Sequence, residues 1–140
     1  MKFLFHTSNQ MTINSDCIER FSIHNVSAAY LEAKLSNGVD KVTLKEFNSG
    51  DREDNITAAK KYLADLVKNC KLKVIFYNDG LEAVNVAFVE KIFFANCEYV
   101  IAKTSTEEII LKAFNGTAED NIVAAKNYLA KLAKILNSEN

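Results

Sequence analysis

The sequence contains few of the residues that build the commonest catalytic and metal sites. It has two histidines, three cysteines and four glycines among 140 residues. A metal site needs His, Cys or carboxylate ligands at short spacing, and a phosphate-binding loop needs closely spaced glycines. No phosphate-loop, dinucleotide-type or GxSxG pattern occurs in the chain. We therefore expect no cofactor, no metal and no catalytic residue, and we interpret the protein as a non-enzyme.

An excess of charge of one sign is also missing. Seventeen Lys and Arg residues stand against eighteen Asp and Glu residues, which gives a formal net charge of −1. Binding to a phosphate backbone normally requires a clear excess of basic residues. This balance argues against a protein whose main partner is duplex DNA or an anionic membrane.

Long hydrophobic runs are absent as well. The opening stretch MKFLFHTSNQ has only a three-residue apolar run, whereas a signal peptide needs a longer apolar core and a spanning helix needs about 20 apolar residues. We expect neither segment, and no membrane partner. An odd number of cysteines without CxxC spacing then predicts reduced thiols and a cytoplasmic location.

The cysteines and histidines leave one catalytic alternative open. Cys17 with His24 or His6 would make a nucleophilic pair if the fold brought the side chains together. We favour the simpler interpretation, in which the histidines lie at the surface or at an edge and the thiols, including Cys70 and Cys97, are buried like small hydrophobic groups.

An internal repeat organises the chain. Residues 51–68 match residues 117–134 at an offset of 66, with twelve identical pairs among eighteen, and such self-similarity indicates duplication. Towards the N-terminus the offset grows to 67, then 69, then 71, through short deletions between predicted elements. The further identical pairs are Leu44/Leu111, Lys45/Lys112, Phe47/Phe114, Tyr30/Tyr99, Ala33/Ala102, Lys34/Lys103, Phe5/Phe76, Asn14/Asn85 and Glu19/Glu90.

Each repeat predicts the same order of elements. Stretches such as KFLFHTS and KLKVIFYN are rich in aromatic and branched residues and predict strands. We expect an α+β fold, a tandem duplication of a β-meander with four to five antiparallel strands followed by one α-helix. Whether the short second segment, MTIN or AVNV, is a strand stays open. A repeat of this length buries little apolar surface, so we expect repeats 1–70 and 71–140 to share one core about a pseudo-twofold, as a single domain 1–140.

The helix of each repeat has a recognisable start and an apolar stripe. Asp51 and Thr117 are predicted N-caps, and each is followed three residues later by an acid. The recurring pairs Asp54–Asn55 and Asp120–Asn121 fit this capping role, with convergent carboxylates for acid–base chemistry as the alternative. Tyr62 and Tyr128 recur beside the stripe, either as packed rings or as ligand contacts. The predicted stripes are Ile56, Ala59, Leu63 and Leu66, and Ile122, Ala125, Leu129 and Leu132.

The most informative difference between the repeats falls in the third strand. Phe21 and Ile23 align with Ile92 and Phe94, which sets the core-facing phase. Ser22 on the other face aligns with Phe93, so an outward polar position in the first repeat is apolar in the second. Cover by the other repeat, a subunit interface and a ligand surface are the three explanations.

Two functions follow as hypotheses. The first is a non-catalytic interaction module that binds a protein partner, as an accessory or inhibitor-type protein, with a homodimer as a further alternative. The second rests on topology: a strand-rich unit ending in one helix and used twice resembles the PUR-repeat and PC4-like proteins, which implies a single-stranded nucleic-acid binder with an aromatic and lysine-bearing sheet face. The predicted partner surface comprises Phe93, Phe88, Tyr77, Tyr99 and Lys91, and Lys73 and Lys103 join it for nucleic acid.

Overall fold

The structure, a computed structural model, describes residues 3–6, 11–25, 28–37 and 40–138. The chain forms two compact units, Met1–Phe88 and Val89–Asn140. Over the described residues the fold is α+β, with two helices and antiparallel sheets of five, three and two strands. The predicted fold class is therefore confirmed.

The first unit contains seven strands and one helix among the residues described in it. Its five-stranded sheet has the order β5-β4-β3-β7-β6, while β1 and β2 form a two-stranded sheet. The short second segments of the repeats are strands, β2 and β7, and each leads into a 3-10 turn. The bounds are β1 Phe3–His6, β2 Met11–Asn14, β3 Ile18–Asn25, β4 Ala29–Leu35, β5 Lys41–Phe47, α1 Arg52–Asn69, β6 Val74–Tyr77 and β7 Glu82–Asn85, with 3-10 turns at Ser15–Cys17 and Val86–Phe88.

The core of the first unit lies between its sheet and helix α1. Phe21 and Leu31 on the sheet and Leu63 on the helix are fully buried. Alternation along β3 and β4 brings these side chains to one face, and the helix contributes every third or fourth residue. The predicted core phase of Phe21 and Ile23 is therefore confirmed.

The helix stripe differs from the prediction at its first turn. The buried positions of α1 are Asn55, Ala59, Leu63 and Val67, so the stripe begins with an asparagine, and Ile56 and Leu66 are only half-buried. In the second helix the same shift buries Asn121 and leaves Ile122 exposed. An apolar count misses this shift because a buried amide that bonds the backbone packs as well as an apolar side chain there.

The second unit is a three-stranded meander followed by a helix. The sheet order is β10-β9-β8, and both pairings are antiparallel. The side chains of Val100, Ala102, Ile109 and Leu111 are buried on one face. Phe94, Phe114 and Tyr128 join strand, loop and helix through edge-to-face ring contacts, each with 6.4 Å between centroids. The bounds are β8 Val89–Ala95, β9 Tyr99–Thr104, β10 Glu108–Ala113 and α2 Ala118–Asn137.

The two sequence repeats have the same element order and the same irregularities. Strands, 3-10 turn, strands and helix follow one another over 3–69 and again over 74–137. The register of β3 on β4 shifts at Glu19, and that of β8 on β9 shifts at the aligned Glu90. A second shift falls at Leu44 and at the aligned Leu111. We retain duplication as our interpretation, while the single shared core stays a prediction.

Candidate interaction surface on the three-stranded sheet

Strands β8 and β9 bring most of the predicted surface residues to one face. Lys91 lies opposite Lys103, and Ala95 lies opposite Tyr99. Phe93 stands between them on β8, on the same side of the sheet because alternate side chains share a face. Phe93 and Tyr99 are half-buried, and the two lysines are exposed.

Strands β9 and β10 each add an apolar residue to this face, Ile101 and Ile110. Ile110 lies opposite Ile101, which in turn lies opposite Phe93. Ile110 is 51% exposed, and among the large apolar side chains described in this unit it is exceeded by Val123 and Ile135 of α2. We call the residues on this side the outer face: Lys91, Phe93, Ala95, Tyr99, Ile101, Lys103, Glu108, Ile110 and Ala113.

The centre of the outer face is a row of three apolar side chains. Phe93, Ile101 and Ile110 lie side by side across three neighbouring strands. The Lys91 ammonium lies 4.8 Å from the centroid of the Phe93 ring, within the range of a cation–π contact. The outer face thus combines an apolar row with a charged rim, as protein interfaces do. We call these three residues the apolar row.

The first unit has polar residues at the aligned positions. Ser22, Glu32 and Thr43 lie side by side across β3, β4 and β5. They align with Phe93, Ile101 and Ile110 at offsets of 71, 69 and 67. Three polar residues in one repeat therefore correspond to three large apolar residues in the other. From the sequence, only the Ser22/Phe93 pair was recognised, because only the third strands of the two repeats were compared face by face.

Two residues of the polar row, Ser22 and Glu32, have polar side-chain neighbours in the first unit. The Ser22 hydroxyl donates to Glu82 Oε1 at 3.4 Å, and Asn78 donates to the other carboxylate oxygen at 3.0 Å. His24 stacks on Tyr30 at 5.0 Å, with its Nε2 3.4 Å from a Glu32 oxygen. Ser22 is 9% exposed and not outward in the sense predicted, because β7 pairs beside it and brings Glu82 over it.

The remaining surface residues of the prediction lie in the first unit. Tyr77 is only 7% exposed, so its ring offers little area to a partner as the structure stands. Phe88 and Lys73 are half-buried. Lys73 borders a shallow groove of about 260 Å³ together with Asp16, Lys71, Leu72, Asn85, Val86 and Ala87.

The three cysteines, considered above as possible nucleophiles or buried thiols, differ in burial. Cys70 is buried, but Cys17 and Cys97 are exposed, which corrects the expectation that all three thiols are buried. Cys97 lies in a tight turn and Cys17 ends a 3-10 turn, so neither position faces a core. Among the described residues, no group of three or more His, Cys, Asp or Glu side chains is placed to hold a metal ion. The side chain of His6 lies outside the described residues.

The recurring Asp–Asn pairs have structural roles at the helix starts. Asp51 accepts a hydrogen bond from the Asp54 amide at 2.8 Å, and Thr117 accepts one from the Asp120 amide at 3.2 Å, so the predicted N-caps are confirmed. The amide oxygen of Asn121 accepts from Gly116 N, and its nitrogen donates to the carbonyl oxygens of Cys97 and Phe114. Asn55 binds both backbone groups of Gly50.

Tyr128 is packed in the second unit as the sequence suggested. Burial raises the pKa of its hydroxyl above the ordinary value, because a charged phenolate would lose solvation there. Its ring contacts Phe114 edge to face. A groove of about 410 Å³ opens nearby, lined by Asn96, Cys97, Glu98, Phe114, Asn115, Gly116, Ala118 and Asn121.

Comparison with known proteins supplies no relative on which to base a function. No protein-family model, no curated protein and no solved structure matches this chain. Neither α1 nor the described length of α2 has an apolar stretch long enough to cross a bilayer. The outer face of the three-stranded sheet is the candidate site that the residues themselves define.

Proposed function

We propose that the protein is a non-catalytic interaction module that binds a protein partner through the outer face of its second unit. The observation that carries this proposal is the apolar row Phe93, Ile101 and Ile110, which stands where the first unit has Ser22, Glu32 and Thr43. We place the module in a cytoplasm, as its odd cysteine count suggests.

The two units differ in the polarity of the aligned sheet positions, and this difference has an energetic consequence. The first unit shows that three polar residues are compatible with this sheet at the aligned positions, so folding does not require an apolar row there. Leaving an isoleucine half-exposed, as at Ile110, forgoes part of the roughly 25 cal/mol per Å² that burial of apolar surface supplies. A partner that covers the row recovers this free energy, which favours association.

The composition of the face favours a protein over other partners. Aliphatic side chains at Ile101 and Ile110 suit a packed interface centre, whereas Lys91, Lys103 and Glu108 at the rim carry both signs of charge. Phe93 is the aromatic anchor, and such residues often contribute 2 kcal/mol or more to an interface. That contribution corresponds to about thirtyfold in affinity.

The test begins with capture of the partner at the site itself. A photo-crosslinking amino acid at Ile110 in the full chain, activated in cells, should join a protein that the same group at Val123 of helix α2 does not. Val123 is a matched control because it is also exposed and apolar, at 60%. The affinity of the purified partner is then measured for the native chain and for Phe93→Ser. We expect an affinity loss of about thirtyfold or more, with a loss of folding free energy no larger than about 0.5–1 kcal/mol. Equal affinity for the two chains would refute the proposal.

A single-stranded nucleic acid is the second candidate, because Lys91, Phe93, Tyr99 and Lys103 share the outer face. Bases stack on exposed aromatic rings while lysines bind the backbone. On this alternative, Phe93→Ser weakens binding of a labelled oligonucleotide, and Lys91→Ala lowers the dependence of binding on salt. No oligonucleotide binding at low ionic strength would eliminate it.

A further inference from the structure

The loop between β10 and α2 contains an asparagine followed by a glycine, Asn115–Gly116. Both residues are exposed and belong to the second unit. An asparagine in this position can cyclise, because the glycine has no side chain that hinders the attack of its own backbone nitrogen on the asparagine carboxamide. Hydrolysis of the cyclic imide then leaves an aspartate or an isoaspartate in place of the asparagine. Such a deamidation needs only this dipeptide and water.

A single side chain, that of Asn121, holds the backbone on both sides of Asn115. Its amide oxygen accepts a hydrogen bond from Gly116 N at 3.0 Å, and its amide nitrogen donates to the carbonyl oxygen of Phe114 at 3.2 Å. The same nitrogen donates to the carbonyl oxygen of Cys97 at 2.8 Å, which ties the loop to the turn between β8 and β9. Asn121 is itself 6% exposed. A buried amide therefore fixes the backbone groups that flank the reactive asparagine.

We propose that Asn115 is a deamidation site and that Asn121 controls its reaction. While the Asn121 amide holds Gly116, the asparagine is protected. When the loop opens and this hydrogen bond breaks, Asn115 is converted to aspartate and isoaspartate. The modified residue lies before α2 and not on the outer face, so this proposal is independent of the partner surface proposed above.

The reaction consumes a water molecule and releases an ammonia molecule. The backbone nitrogen of Gly116 loses its proton and forms a bond with Cγ of Asn115, and the carboxamide nitrogen takes up a proton and leaves as ammonia. Water then adds to a carbonyl carbon of the cyclic imide, and the bond between that carbon and the ring nitrogen breaks as the nitrogen regains a proton. Cleavage at Cγ gives aspartate, and cleavage at the main-chain carbon gives isoaspartate.

The hydrogen bond to Asn121 opposes the first step of this reaction. Deprotonation of the Gly116 nitrogen would remove the donor of that bond and leave a negative nitrogen 3.0 Å from the amide oxygen of Asn121. A buried amide oxygen that loses its donor costs free energy. The nitrogen must also move towards Cγ of Asn115, whereas the bond to Phe114 holds the preceding carbonyl in place. The loop must therefore open before cyclisation, as it must for exchange of a protected amide hydrogen.

The first unit has the same hydrogen bond without the reactive residue. Asn55 aligns with Asn121, and its amide oxygen accepts from Gly50 N at 3.1 Å. The residue before Gly50 is Ser49, which aligns with Asn115 and has no carboxamide to attack. A glycine held by a buried asparagine therefore occurs in both units, but at the aligned positions only the second unit places an asparagine before it.

Deamidation rates of the native and the unfolded chain test the protection. The full chain is incubated at mildly alkaline pH with and without urea, and aspartate and isoaspartate at position 115 are separated and quantified by peptide mapping. The Asn–Gly dipeptide at 37–38 serves as a chemical reference in the unfolded chain. We expect Asn115 to react about tenfold or more slowly in the native chain, since the reaction requires local opening. Equal rates in the two states would overturn the proposal.

The variant Asn121→Ala distinguishes control by this side chain from a general loss of stability. Under native conditions it should raise the deamidation rate of Asn115 by about tenfold or more. The matched control is Ile109→Val, which shortens a buried side chain of the same unit and leaves the hydrogen bonds of the loop in place. The two variants are compared at temperatures that give the same folded fraction. Equal acceleration by both would show that Asn115 reacts only after global unfolding, which would overturn the role of Asn121.

Hydrogen exchange in the native chain gives a measurement that needs no variant. Exchange of the Gly116 amide hydrogen reports the breaking of its bond to Asn121. As urea is raised below the unfolding transition, this exchange rate and the deamidation rate of Asn115 should rise together, because both need the same opening. Deamidation that does not follow exchange at Gly116 would contradict the proposal.

A gain of the site in the first unit provides the last test. Ser49→Asn places an asparagine before Gly50, whose backbone nitrogen donates to Asn55. The new residue should deamidate slowly in the native chain and rapidly in the unfolded one, as Asn115 does. Equally rapid reaction in both states would show that such a hydrogen bond gives no protection, and it would refute the proposed control.

Discussion

At the scale of single residues, the buried asparagines are the best-defined polar groups in the protein. Asn121 makes three hydrogen bonds to backbone groups of the turn and loop beside helix α2, and it is 6% exposed. Asn55 makes two at the aligned position. An added Cβ at Gly116 would stand 3.2 Å from the Asn121 amide oxygen, so the loop is fitted closely around this side chain.

We predict that Asn121→Ala lowers the free energy of unfolding by about 1–3 kcal/mol, since it leaves backbone carbonyls without their donor. Denaturant unfolding followed by circular dichroism measures the change. Asn115→Ala is the control, because Asn115 is exposed, and it should change stability by less than about 0.5 kcal/mol. Equal effects of the two substitutions would show that these hydrogen bonds contribute nothing.

A substitution at Cys97 is predicted to stabilise the fold, in contrast to Asn121→Ala. Asn96 and Cys97 both have positive φ, 57° and 54°, in the tight turn between β8 and β9. They are the central residues of a β-turn closed by the Glu98 amide on the Ala95 carbonyl at 3.1 Å, and positive φ at the second central position favours glycine because a side chain there is crowded by the backbone. Cys97→Gly should therefore raise the free energy of unfolding by about 0.5–1 kcal/mol. A lower melting temperature for this variant would mean that the thiol makes a stabilising contact.

At the scale of elements, the sequence predicted much of the architecture because the repeat doubled each signal. The N-caps Asp51 and Thr117 and the core phase of Phe21 were readable from local patterns. Burial of Asn55 was not, because hydropathy ranks an amide as a surface group and only the loop geometry gives it partners. The pairing of β7 with β3 was also missed, since local sequence does not specify which strand a hairpin joins.

The outer face was also predictable in part, because the two sequence repeats could be compared. Alternation along β8 identified Phe93, and the alignment with Ser22 showed that an apolar side chain is not needed there. The register of three strands was required to join Phe93 with Ile101 and Ile110 in one row. Tyr77 was included in the predicted surface because it is aromatic. Its burial could not be predicted, because β6 has only four residues and gives too short a pattern.

The pairing of β7 with β3 leads to a prediction about truncation. Ala83 and Val84 of β7 are fully buried, and Asn85 binds the carbonyl of Ile18. A fragment of residues 1–70 loses these contacts, whereas a fragment of residues 1–88 keeps them. We expect a cooperative thermal transition only for the longer fragment, and residues 71–140 alone should also fold poorly. A sharp transition for 1–70 at the temperature of 1–88 would contradict this account of the sheet.

At the scale of the whole molecule, the two units have different residues on corresponding faces of their sheets. The first unit has a polar row on its sheet, in which Ser22 bonds Glu82, and the second has an apolar row at the aligned positions. If a duplication produced the two sequence repeats, then differences at three aligned positions distinguish a sheet face that is structural from one that binds a partner. The central claim is that the apolar row serves binding and not folding. It can be tested without knowledge of the partner.

The most direct measurement is the free energy of unfolding of a triple variant that gives the second unit the residues of the first: Phe93→Ser, Ile101→Glu and Ile110→Thr. A row that serves binding and not folding should tolerate the exchange, at a cost near 0.5–1 kcal/mol per substitution from strand preference alone. We therefore predict a total loss of about 1.5–3 kcal/mol, with the native circular dichroism spectrum retained. If the row is instead part of a core, each truncation should cost about 2–5 kcal/mol. A total loss above about 6 kcal/mol, or failure to fold, would contradict the central claim.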